Sequence, residues 1–268
     1  MKKALIATFV LMTTCFLLAT GAQAGNVLNK ILKNGELKVG ITGTQPPLNM
    51  KDKNGELMGL EVDIAEMLAA NMGVKPNFVT MPFDQLMPAL ESGKVDLVIS
   101  SMAMTPARNL KAAFVGPYYI SGKGILTKYE KLAELKDPNG LNNPNFKVAV
   151  LKDSTSQMFV ERAAPKAKML ALKGYDEAVS LLIDGKIDAV VADYPFCAFT
   201  AVRYQSQGLI AGQAPLTFEP LGMAIPEDPL YINWLQNFLG ILDGTGQLKA
   251  IGLRWLREGS WMSRLPEG

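Results

Sequence analysis

The sequence predicts an α/β protein made of two doubly wound lobes of one type, with a cleft between them. Three observations carry this reading. Strands and helices alternate through about the first hundred residues, the pattern of a parallel sheet covered by helices. A helix–Gly-Lys–strand unit occurs twice. Leu90-Glu91-Ser92-Gly93-Lys94-Val95-Asp96-Leu97-Val98-Ile99-Ser100 returns 92 positions later as Leu182-Ile183-Asp184-Gly185-Lys186-Ile187-Asp188-Ala189-Val190-Val191-Ala192. Two extended stretches, near 117–122 and 218–222, read as crossings between the lobes.

The elements follow in order. Asn26 to Asn34 reads as a short helix with Val27, Ile31 and Leu32 on one face, closed by Gly35. Leu37 to Ile41 is the first strand. It opens into Thr42-Gly43-Thr44-Gln45-Pro46-Pro47, where proline stops both strand and helix. Asp52-Lys53-Asn54-Gly55 is a turn by composition. A helix with Ile64, Leu68 and Met72 on one face runs to Gly73, and Asn77 to Thr80 is the second strand. Leu86, Ala89 and Leu90 place a helix before Gly93. Val95 to Ile99 is then a continuous apolar run, as in a strand buried on both faces. Val148 to Val150 begins the second lobe's sheet and opens into Lys152-Asp153-Ser154-Thr155-Ser156, with a helix through Met158 to Ala163. A strand at Gly222 to Ile225 precedes two tail helices, Tyr231–Leu242 and Gln247–Arg257.

Residues 1–24 stand apart. Lys2 and Lys3, the largely apolar Ala4 to Ala19, and Ala22-Gln23-Ala24 form a secretory signal pattern with cleavage expected after Ala24. Cleavage removes two lysines and no acid, so 27 basic against 25 acidic side chains becomes an even balance. A neutral chain without basic clusters gives no electrostatic footprint for nucleic acid. Cys197 is the single cysteine left, which rules out an intramolecular disulfide, and its apolar neighbours predict a buried thiol.

Histidine is absent from the whole chain. That excludes Ser-His-Asp and Cys-His catalysis and histidine-bound metals, and one cysteine excludes thiolate clusters. No phosphate-cradling loop motif appears. Binding remains, or acid–base chemistry by carboxylates and lysines; no cofactor is expected.

Candidate binding residues lie where strands run out. Ser101 and Arg108 follow the first Gly-Lys strand, and small hydroxyls with a guanidinium suit a small anion. Asp193 ends the equivalent strand of the second copy. Opposite charges across a cleft suit a zwitterion. The same residues also fit a surface ion pair at Arg108 and a turn before Pro195 at Asp193.

The ordered set MGLEVDIAEMLAANMG (Met58 to Gly73), FDQLMPALESGKVDLVIS (Phe83 to Ser100), MTPAR (Met104 to Arg108), FVGPYY (Phe114 to Tyr119) and DGKIDAVVAD (Asp184 to Asp193) resembles periplasmic amino-acid-binding proteins of the family-3 solute-binding class. The resemblance covers nearly all of the chain after residue 24. It implies two Rossmann-like lobes joined by two hinge strands, the type II periplasmic-binding-protein architecture. Lobe 1 would hold 25–120 and 221–268, and lobe 2 would hold 121–220. It implies a periplasmic monomer that passes a small carboxylate or amino acid to an ABC transporter permease. By the same resemblance Arg108 grips the ligand α-carboxylate, Asp193 takes the α-ammonium and Phe83 stacks on the ligand. Ser154, Thr155 and Ser156 contact the carboxylate.

Two departures stand out. Ala103 replaces a hydroxyl residue five positions before the arginine, leaving its backbone N–H as donor. Thr42, Thr44 and Gln45 replace an acid and an aromatic in the first-lobe loop, which implies a ligand side chain that is not cationic. The alternative is an enzyme similar to cyclohexadienyl dehydratases. Where those carry a glutamate general acid, this chain has Gln157, which cannot cycle a proton.

Overall fold

The computed structural model describes residues 26–266; the signal pattern of residues 1–24 lies outside them. Helix α1 (Asn26–Asn34) leads into β1 (Glu36–Ile41), followed by a small antiparallel sheet of β2 (Thr44–Gln45), β3 (Asn49–Lys51) and β4 (Leu57–Met58). Then come α2 (Leu60–Met72), β5 (Lys75–Thr80), α3 (Phe83–Glu91), β6 (Leu97–Val98), α4 (Pro106–Asn109) and β7 (Ala113–Ser121). The chain continues through β8 (Lys123–Thr127), α5 (Glu130–Ala133), β9 (Lys147–Leu151), α6 (Thr155–Ala163), β10 (Lys168–Leu172), α7 (Tyr175–Ile183) and β11 (Ala189–Asp193). It closes with α8 (Tyr194–Arg203), β12 (Ile210–Ala211), β13 (Glu219–Ile225), α9 (Pro229–Gly244) and α10 (Gln247–Leu256).

Two five-stranded sheets result, ordered β5-β1-β6-β13-β7 and β10-β9-β11-β8-β12. Each has a parallel half, built by β1 with β5 and β6, and by β9 with β10 and β11. Each is completed by antiparallel strands, so the sheets are mixed rather than wholly parallel. The crossing expected near 117–122 is built from two strands, β7 and β8, broken at Gly122. The strand expected at 222–225 starts earlier, at Glu219. At the break a Cβ on Gly122 would meet the Thr217 carbonyl oxygen at 2.0 Å, so only glycine lets the two crossing segments pass this closely.

The repeat seen in the sequence has a structural cause. Gly93 and Gly185 adopt left-handed φ of 71° and 68°, ending α3 and α7 in the same way. Asp96 then takes a backbone bond from its N–H to the Lys38 carbonyl (2.8 Å) and returns one by accepting the Lys38 N–H on its carboxylate (3.1 Å). Asp188 does the same to Lys147, at 2.9 and 2.7 Å. The aspartate of each Gly-Lys-x-Asp thus pins the start of its lobe's first strand and fixes the register of the parallel pair. That register sends both first strands toward the cleft, where they open at Thr42 and Lys152.

Apolar packing is continuous between the sheets. Phe83, Leu86 and Leu90 of α3 belong to one buried cluster with Tyr175, Leu182 and Phe196 of the second sheet's helices. Tyr175 stacks on Phe196 with ring centroids 4.4 Å apart. Lys152 pairs with Asp84 at 3.0 Å across the same divide. At the other end Asp228 caps α9 through Leu230 and Tyr231 while its second oxygen accepts from Val27 and Leu28, tying α1 to the tail helices.

Because Asp96 is buried and leaves the Lys38 N–H short of a partner when removed, Asp96→Ala should lower stability by about 1–3 kcal/mol in urea unfolding. Asp188→Ala, at the equivalent place, should cost an amount of the same order, and neither should alter the cleft.

Candidate functional site

The cleft floor is built by the open ends of β1, β6, β9 and β11 and by the crossing strands β7, β8 and β13. Arg108 is presented by α4, a helix capped by Thr105, whose hydroxyl accepts the Arg108 N–H at 3.3 Å. Its guanidinium donates to the Ala103 carbonyl (3.0 Å) on its own side and to the Asp153 carbonyl (3.3 Å) on the other. It lies 5.5 Å from the centroid of the Phe83 ring, so Phe83 backs the arginine with its π face. Burial presses the Arg108 pKa down, while Glu219 and Asp193 hold it up.

Ala103 sits opposite Leu221 in an isolated antiparallel bridge. The flanking bonds, Gly222 N–H to Met102 and Met104 N–H to Pro220, turn the peptide groups of Ala103 itself away from β13. Its carbonyl takes Arg108, and its N–H is left free of β13. Ser101 is a non-glycine residue in the left-handed region, at φ 51°. Its backbone N–H donates to Glu61 at 2.6 Å, which holds that conformation.

Glu61 was not foreseen from the sequence. It is fully buried and accepts from Asn49 on one oxygen and from Ser101 and the Tyr118 hydroxyl on the other. Burial raises its pKa against these three donors. Asn49 in turn accepts from the Thr42 hydroxyl (2.8 Å) and the Gly43 N–H (2.7 Å), and Gln45 donates to Thr42 at 3.1 Å. Gln45 therefore serves the shape of the first-lobe loop.

From the second sheet, Ser154 is the N-cap of α6, accepting from Gln157 (3.2 Å) and donating to Leu151 (2.6 Å), so its hydroxyl is spent on the helix. Thr155 donates to Glu219 at 2.7 Å. Among the described residues the buried Ser156 hydroxyl makes no hydrogen bond, although it lies near the Tyr175 hydroxyl. Gln157 accepts from the Asp153 N–H and donates to Glu161, a structural use of its amide. Asp153 is left-handed, at φ 57°, which turns its carbonyl toward Arg108.

Asp193 ends β11, buried, and stands at the N-cap position of α8 without a side-chain capping bond. Lys123, a second residue the sequence reading missed, donates to Asp193 Oδ1 and to Glu219 Oε2, each at 2.8 Å. Lys123 is only 2 % exposed. Burial presses its pKa down, but the two carboxylates outweigh this and raise it, so the ammonium stays charged. For Asp193, burial pushes upward and Lys123 pulls back. Cys197, behind the cluster, is buried and its thiol is pushed up by burial, as its apolar neighbours foretold.

A cavity of about 830 Å³ lies beside these groups. Thr42, Gly43, Thr44 and Met81 line one wall, and Gly174, Asp176, Phe196 and Thr200 the other. Neither Arg108 nor Asp193 lines it. Its charged rim carries Lys51, Lys173 and Arg203 against Asp176.

A family model, bacterial extracellular solute-binding proteins, family 3, matches residues 37–258. The chain belongs to this family. A probable histidine-binding protein of Campylobacter jejuni is 35% identical over 198 residues, covering 72% of this chain and 74% of that protein. Among solved structures, an ancestral amino acid-binding protein described as a precursor of cyclohexadienyl dehydratase is 36% identical. It superposes with a TM-score of 0.79 over 87% of this chain and 100% of its own. A putative ABC-transporter binding component of Wolinella succinogenes, complexed with lysine, is 33% identical with a TM-score of 0.81 over 85% and 99%. This family-3 protein therefore has the two-lobed type II periplasmic-binding-protein fold and a solute-binding role in transport. Family membership places it outside the cytoplasm.

Glu61→Gln turns one acceptor oxygen into a donor facing Asn49 or the Ser101–Tyr118 pair. The expected loss is about 1–3 kcal/mol in urea unfolding.

Proposed function

We propose that this protein captures an amino acid, or a small carboxylate of similar shape, between its lobes and delivers it to an ABC transporter permease. The observation that carries this is the placement of Arg108 and Asp193. A half-buried guanidinium beside the first sheet and a buried carboxylate ending a strand of the second lie close enough for each to act on the other's charge. The fork of Arg108 matches a carboxylate, and Asp193 matches an ammonium. Phe83 would form the apolar wall, and the Ala103 N–H, Ser101, Thr155 and the Ser156 hydroxyl would supply donors. Ser154 and Gln45 would act through the loops they hold.

The ligand would replace the two carbonyls that Arg108 now holds, and the closed form would be stabilised by contacts from both lobes. Three cations against one acid around the adjacent cavity favour a ligand whose side chain is not cationic. The Wolinella neighbour's lysine marks the opposite choice on the same scaffold. In this reading the chain is cleaved after Ala24 and works as a periplasmic monomer, with lobes at 25–120 plus 221–268 and at 121–220.

A thermal-shift screen of refolded, ligand-free protein against amino acids and small carboxylates tests this. A ligand at ~100 times its dissociation constant should stabilise by about 2.7 kcal/mol. The shift should vanish in Arg108→Ala and in Asp193→Asn. Loss in Arg108→Ala alone would mean a carboxylate without an amine, and no shift with any of these compounds would sink the proposal.

A further inference from the structure

Four charged side chains meet at the cleft floor: Arg108 and Lys123, Asp193 and Glu219. Their formal charges cancel. Lys123 is placed with unusual firmness, because its backbone is bound on both sides to the second crossing segment. Its N–H donates to Thr217 Oγ1 at 2.9 Å, and its carbonyl accepts the Leu216 N–H at 2.7 Å. The ammonium engages one oxygen of Asp193 and one of Glu219. Among the described residues, Asp193 Oδ2 and Glu219 Oε1 carry no hydrogen bond, and neither is a fully buried orphan. The remaining titratable groups facing the cluster are Glu61 from α2, Tyr118 and Tyr119 from β7, Tyr175 from α7 and Cys197 from α8. None of these adds a cation; Glu61 is the one further carboxyl, and its three donors, Asn49, Ser101 and Tyr118, hold it on the opposite wall in parent and variants alike.

We infer that Lys123 is a specificity-determining residue, setting the cleft to accept a ligand whose own charges cancel. This rests on the amino-acid reading of Arg108 and Asp193. Lys123 takes one oxygen of Asp193 and leaves the other for a ligand ammonium. It also cancels Glu219, which would otherwise add an unmatched negative charge beside that ammonium. A dry cleft penalises any net charge, so a zwitterion with a neutral side chain fits and a ligand carrying one charge more does not. Removing Lys123 leaves the floor one charge negative and favours an additional cation. Removing the charge of Glu219 leaves it one charge positive and favours an additional anion.

The test measures calorimetric affinities of refolded, ligand-free protein for L-glutamine, L-arginine and L-glutamate. Lys123→Met should shift the arginine-to-glutamine affinity ratio toward arginine by about tenfold or more, and Glu219→Gln should shift the glutamate-to-glutamine ratio toward glutamate by a similar factor. The double variant Lys123→Met with Glu219→Gln restores neutrality and should return both ratios to near the parent values, which a merely structural lysine would not do. Ratios unchanged within about twofold in both single variants would overturn the role of Lys123 while leaving the amino-acid reading intact. A parent protein that binds none of the three would overturn this selection and count against the amino-acid reading itself. Should Lys123→Met fail to fold, the neutral double variant must fold and Glu219→Gln carries the selectivity test. A double variant that also fails overturns charge cancellation as the function of Lys123.

Discussion

The structure depends on one buried ammonium. Taking Lys123 out of water costs several kcal/mol unless its donors are met by charged acceptors at close range. Two carboxylates meet it at 2.8 Å, one at the end of β11 and the other at the start of β13. Glu219 also receives Thr155, the first residue of α6. A single charge therefore joins both crossing segments to the two loops that form one wall of the cleft. Removing any one partner would leave another charge buried without compensation, so the arrangement behaves as a unit.

The opposite wall is organised by a buried carboxylate in the same manner. Glu61 gathers Asn49, Ser101 and Tyr118, one from the small sheet, one from the end of the β6 segment and one from β7. Through Asn49 it fixes the Thr42–Gly43 loop, and through Ser101 it sustains a backbone conformation that non-glycine residues rarely adopt. Both walls thus present their binding groups from loops made rigid by charge-assisted bonds rather than by apolar packing alone.

The fold was legible in the sequence because its decisive signals are local. Gly93 and Gly185 announce helix ends, and Asp96 and Asp188 sit three residues on, so the duplicated unit could be read without tertiary knowledge. Arg108 and Asp193 could be picked out as candidates because they stand where such strands run out. Lys123 and Glu219 were not, since a lysine between glycines and a glutamate before a proline look like surface charges. Only the crossing of two segments 96 positions apart brings them together. Glu61 did leave a trace: it shares a helical face with Ile64, Ala65 and Leu68, all buried, where an acid needs partners. Ser154 shows the converse, a hydroxyl in the expected stretch that the helix itself uses as its cap.

The cancellation of charge at the cleft floor reaches beyond the protein surface. A site with a net charge projects a field that draws oppositely charged solutes from a distance and weakens as salt is added. Here Arg108 and Lys123 against Asp193 and Glu219 leave little field of their own beyond a Debye length of about 8 Å, so what reaches farther comes from the rim, where Lys51, Lys173 and Arg203 outnumber Asp176. Neutral solutes would reach the cleft by unguided diffusion and be sorted only on contact, so their rate of capture would hold steady while the ionic strength of the surroundings rises and falls.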